Sequence, residues 1–171
     1  MPPQSSSSEG DKIMRNIPFI LFAALCLCLC ACAAPAAAPT AEPVPEAVSI
    51  NLYHSDENFD NIVYDVVTIA ELSPDCIMTA LNEQGVLSEP VAVNSFLMDK
   101  TGVIRLDLAE NFGTIMNSTG TSGEYIMMGS LVNTFLDAYH ASGLMLQVDG
   151  KTLETGHSIY DWTLEYFPLE P

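Results

Sequence analysis

The sequence predicts an α+β domain over residues 47–171: a mixed β-sheet with two α-helices packed on one face, preceded by a signal peptide and a disordered tether. Three observations carry this. Composition changes abruptly near residue 46, where a proline- and alanine-rich stretch gives way to mixed sequence. Apolar, β-branched runs then recur with strand-like character. Between them lie two segments with apolar residues at helical spacing, so the order reads β, β, helix, β-hairpin, long helix, β.

The elements follow from their residues. "VSINLYH" (48–54) is rich in β-formers with a partial period of two, and "IVYDVVTIA" (62–70) is a second apolar run; the polar "SDENFDN" joins them. "SPDCIMTALNEQG" opens a helix, with Ser73 as cap, Pro74 at the first turn and Asp75 at the positive end of the helix dipole. Ile77, Met78 and Leu81 form its apolar stripe, and Gly85 ends it. "VAVNSFLMDKTGVIRLDL" (91–108) reads as a hairpin turning at "DKTG". In 121–143, Ser122 and Glu124 read as a helix cap. Met128, Leu131, Val132, Phe135 and Tyr139 then line one face, and Gly143 stops the helix. "LMLQV" (144–148) is a strand and "DGKT" a turn, and "SIYDWTLEY" (158–166) reads as an edge strand.

Upstream, residues 1–31 read as a signal peptide. Ile17–Ala31 is fifteen residues without a charge, shorter than the roughly 20 needed to span a bilayer, with Arg15 just before it. Glu9 and Asp11 precede that run, and a true start at Met14 restores a conventional leader. Cys26, Cys28, Cys30 and Cys32 fall at every second position. Leu29-Cys30-Ala31-Cys32 resembles the bacterial lipoprotein signal, in which a small residue precedes the lipid-bearing cysteine. Cys26, Cys28 and Cys30 each follow a bulky leucine. Cys32 is therefore the candidate lipidation site, and the other three read as small hydrophobes of the leader. An uncleaved helix through the alanines is the competing reading, opposed by Pro35. Residues 32–46 then form the lipidated cysteine and a semi-extended tether with four prolines and no aromatic.

The net charge is −17. The leader holds two of the 22 acids and two of the five bases, which leaves twenty acids facing Lys100, Arg105 and Lys151. Nucleic-acid binding needs clustered Lys and Arg and is excluded; docking on anionic lipid is disfavoured for the same reason. The acids read as keeping an extracytoplasmic domain soluble.

No catalytic or metal constellation emerges, and no cofactor is implied. "DENFDN" from Asp56 offers oxygens at alternate positions, but the glycine position of a calcium loop is Asn61 and the bidentate glutamate position is Val67. "STGTSGE" (118–124) leads into a helix N-terminus without a lysine and reads as a capping loop. His54, His140 and His157 share no metal spacing. Serine nucleophiles lack their elbow. Cys76 reads as a buried structural thiol, with a reactive thiol at the helix start as the alternative. Asn133 and Thr134, mid-helix among apolar residues, are the candidate binding residues. They read either as a partner-facing polar patch or as a buried network tying the helix to the sheet.

"INLYHSD", "CIMTALNEQG", "VIRLDLAENF", "YIMMGSLVNTFLDAY" and "LMLQVDGK" occur in this order over residues 48–151. In order and spacing they resemble the GerMN domain, named from sporulation and spore-germination proteins; this chain has one copy where well-known members have two. The resemblance implies a non-catalytic extracytoplasmic lipoprotein of the cell envelope, held to the membrane through Cys32. Its partner would be an envelope protein or a second copy of itself, and a link to sporulation or germination would follow. A binding protein for a wall-derived small molecule is the alternative reading, and an envelope hydrolase a remoter one.

Overall fold

A computed structural model of the protein describes residues 47–169. The signal peptide, Cys32 and the tether lie outside the described residues. Seven strands and three helices follow in the order β1 (Val48–Ser55), β2 (Ile62–Ile69), α1 (Pro74–Glu83), β3 (Val93–Met98), β4 (Val103–Leu108), α2 (Asn111–Asn117), α3 (Thr121–Tyr139), β5 (Gly143–Val148), β6 (Lys151–Glu154) and β7 (Ile159–Tyr160).

The fold is α+β, and its main sheet is mixed. Five strands lie in the order β3-β4-β5-β6-β7, with β4 and β5 parallel and the other pairs antiparallel. Ile104, Leu106 and Leu108 of β4 and Leu144, Leu146 and Val148 of β5 alternate inward, while Arg105 and Gln147 face out. One face of the sheet is therefore core and the other solvent. The core face meets α1 through Ile77, Met78 and Leu81, and α3 through Met128, Leu131, Val132 and Phe135. Burying a side chain of this kind contributes about 1.5–3 kcal/mol.

The first two strands depart from the single sheet expected. β1 and β2 form their own two-stranded antiparallel ladder, from Val48↔Ile69 to Ser55↔Ile62. The cause lies at the other edge of β1, where helix α3 takes the place of a strand. The Tyr53 amide donates to Thr134 Oγ1 at 3.0 Å, and Asn51 Nδ2 donates to Asp137 Oδ2 at 2.7 Å.

Other boundaries also differ from expectation. Ser73 caps α1 by accepting from the Cys76 amide, as its sequence indicates. The long helix instead starts from Gly120, without a side-chain cap. It ends three residues before the expected Gly143, where His140 turns left-handed at φ 51°. Gly143 begins β5. There the Leu164 backbone pairs with Leu144, and a Cβ at residue 143 would come within 2.5 Å of Thr163. "DGKT" is a turn only over Asp149 and Gly150, both at positive φ, so Lys151 already belongs to β6. Helix α2 occupies a stretch where no element is expected, and the expected edge strand over 158–166 shrinks to β7 plus the bridge from Leu164 to Leu144.

Gly129 sets how closely α3 approaches its neighbours. A Cβ there would collide with Ile62 Cδ1 and fall 3.0 Å from the Phe167 ring. Gly129→Ala should be nearly neutral, because a roughly 1 kcal/mol gain in helix propensity offsets displacement of the mobile end of Ile62. Gly129→Leu has no such escape and should destabilise by about 1–3 kcal/mol. Thermal unfolding of the two variants checks this, and equal losses for both would contradict it.

Candidate functional site

Asn133 and Thr134 are fully buried. Asn133 clasps one residue of the C-terminal segment: its Nδ2 donates to the Phe167 carbonyl at 2.9 Å, and its Oδ1 accepts from the Phe167 amide at 2.8 Å. Thr134 Oγ1 donates to Ser130 O at 2.7 Å while accepting from Tyr53. The two adjacent residues thus fix different neighbours, the tail and the first strand. Among the described residues, their polar atoms are spent inside the fold.

Glu124, read in sequence as part of a helix cap, is only 2% exposed. Its Oε1 accepts from Tyr160 Oη and Thr155 Oγ1, both at 2.7 Å, tying the first turn of α3 to β7. Nothing local in "TSGEY" signals this, because the partners are more than thirty residues downstream.

The candidate calcium loop is closed on itself. Asp56 Oδ1 accepts from the amides of Asp60 and Asn61, and Oδ2 accepts from Asn61 Nδ2. These bonds, the Asp60 amide first, lower the Asp56 pKa. His54 bonds the Ser55 carbonyl through Nδ1, and its Nε2 lies 3.2 Å from Asp65 Oδ2. His157 faces Thr121 at 3.4 Å. Thus the three histidines stand apart from one another.

What the hairpin offers is an edge. Because the Tyr53 amide points away from β2 toward Thr134, Tyr53↔Tyr64 is a non-hydrogen-bonded pair of the ladder. Alternation then aims the N–H and C=O groups of Tyr64, Val66 and Thr68 outward, where no further strand pairs among the described residues. Their side chains are exposed too, Val66 at 69%. Beside this edge, β2 and α1 border a groove of about 310 Å³. Val67 and Ile69 form one wall; Cys76, Thr79, Ala80 and Glu83 form the other. Cys76, expected to be buried, is half-buried here. No helix among the described residues is long and apolar enough to cross a membrane.

No protein-family model and no curated protein matches the chain. The solved structures similar to it include the following two. One, a candidate lipoprotein from Clostridium perfringens, is 12% identical over 70% of this chain and 87% of its own, with a TM-score of 0.42. The other is the tandem GerMN domains of the sporulation protein GerM from Bacillus subtilis, 20% identical over 77% of this chain, with a TM-score of 0.49. The chain covers 49% of that tandem structure. GerMN domains are therefore among the structures to which this chain is similar, and their family is the one its sequence motifs resemble.

Asn133→Ala should leave the Phe167 amide and carbonyl without partners and cost about 1–3 kcal/mol. Amide exchange should rise at Phe167 before it rises at β4, and unchanged protection there would refute the clasp.

Burial raises the pKa of three tyrosines: Tyr53, Tyr160 (also through its bond to Glu124) and Tyr139, which is pushed up to about 12. The unfolded chain ionises these phenols near pH 10. Their stabilisation is thus full below pH 10 and should drain away as pH rises from 10 toward 12. Tyrosinate absorbance should appear there together with unfolding; ionisation of all six tyrosines of a still-folded protein would contradict it.

Proposed function

We propose that the protein is a non-catalytic interaction module of the cell envelope, anchored by a lipid on Cys32 and displayed on the extracytoplasmic face of the membrane. The tether of residues 32–46 gives reach, and the folded domain contacts a second protein. The observation that carries this reading is the β2 edge. Eight residues of strand, rich in Val and Ile, run beside a groove without the Lys, Pro or bulge that usually guards such an edge. A link to sporulation or germination is part of the proposal, drawn from the motifs that resemble those of GerMN domains.

A second reading has its own observation. Between α2 and the β5–β6 hairpin lies an open concavity of about 780 Å³, rimmed by Glu110, Asp149, Lys151 and Glu154. This is the place where a wall-derived small molecule would bind.

In-cell crosslinking of a C-terminally tagged protein, with Cys32→Ala alongside, tests the first reading. The wild type should yield one reproducible adduct from the membrane fraction. The variant should leave that fraction, or keep its leader, and lose the adduct. A bare monomer from intact cells would count against the module, and a processed variant still held in membranes would count against the anchor.

A further inference from the structure

The β2 edge and the groove beside it have complementary parts. A strand added to β2 would find outward-facing N–H and C=O groups at Tyr64, Val66 and Thr68. Its side chains opposite Asp65 and Val67 would lie on the same face as Leu52 and Ile50, which is the groove face. The groove wall is built of medium and small side chains, Val67, Cys76, Thr79 and Ala80, so it suits medium apolar residues. Main-chain pairing supplies affinity in such an arrangement, and alternate side chains supply selectivity.

Charge selects the occupant. Acids stand at both ends of the edge: Asp56, Glu57 and Asp60 before β2, Glu71 and Asp75 after it. Asp65 lies on the strand, and Glu83 on the groove wall. Lys100, Arg105 and Lys151 belong to the β3–β4 turn, β4 and β6, and none borders the groove. A second copy of this chain fits poorly. Antiparallel β2–β2 pairing about Val66 sets Asp60 beside Glu71 of the second copy, and pairing about Thr68 sets Asp65 directly opposite it. Like charges so placed destabilise the pair. A strand with lysine or arginine at its ends meets the same acids favourably, which steers encounter as well as register.

Resting on the interaction-module reading above, we infer that the edge of β2 and the β2–α1 groove take an extended, basic-flanked segment of a different protein as an added antiparallel or parallel strand. Alternate apolar side chains of that segment fill the groove.

The test uses the full chain in detergent and two synthetic peptides of about ten residues, the upper range of a strand. Both have a Thr/Val centre; one carries Lys–Arg at each end, the other Glu–Asp. The basic peptide should bind saturably, slow amide exchange at Tyr64, Val66 and Thr68, and slow alkylation of Cys76. The acidic peptide should bind at least roughly tenfold more weakly, about 1.4 kcal/mol. Val66→Pro removes an outward N–H without taking a bond from the ladder. Thr79→Arg fills the groove and leaves the strand untouched. Each should weaken binding of the basic peptide roughly tenfold or more. Four outcomes would overturn the inference: no binding of either peptide, equal binding of both, protection confined to other amides, or protection of these three amides by raised protein concentration alone. In cells, an adduct that persists in both variants leaves the module standing and removes the edge from it; loss of any adduct from the wild type removes the module itself.

Discussion

The bond from the Tyr53 amide to Thr134 Oγ1 settles more of this molecule than its length of 3.0 Å suggests. It puts a helix where a sheet would place the next strand, and so separates the β1–β2 ladder from the five-stranded sheet. A strand edge can abut a helix only if the helix surface supplies acceptors and stays low. Thr134 supplies the acceptor, and Gly129, five residues earlier, keeps the surface low enough for Ile62 and Phe167 to close over it. Since β1 is spent on α3, the edge of the ladder left open among the described residues belongs to β2.

The same stretch of helix holds the C-terminal segment. Asn133 satisfies both backbone groups of Phe167, whose ring packs 5.2 Å from Tyr125 in an edge-on arrangement. Tyr166 meets Tyr53 edge-on at 5.7 Å. Residues after Lys151, which lie beyond the GerMN-like motifs, therefore complete the core around the β1–β2 hairpin. Glu124 does the equivalent at the other end of α3, through Tyr160 and Thr155.

Much of this was legible in the residues. Ser73-Pro74-Asp75 states a helix start in local chemistry alone, and α1 begins there. Alternation in "VIRLDL" and "LMLQV" likewise marks two strands with one buried face. What stayed hidden depended on distant partners. Asn133 and Thr134 advertise that a buried polar group needs a bond, but not that one reaches residue 167 and the other residue 53. The direction of the Tyr53 amide, and with it the open edge at Tyr64, Val66 and Thr68, follows from that long-range bond. Alternating hydrophobicity fails in β2, where Val63, Tyr64 and Val66 are all exposed, because the strand borders solvent on its edge as well as its face.

The place of β1 in the chain has a mechanical consequence. It is the first of the described elements, bonded along one side to β2 and along the other to α3. When force is applied at Val48 along the strand axis, β1 is held on both sides. The ladder and the helix contacts then share the load in shear, instead of parting one bond at a time. Resistance to force is set by the rate of unfolding rather than by equilibrium stability. A substitution at Thr134 or Asn51 should therefore weaken the domain under tension more than its cost at rest would suggest.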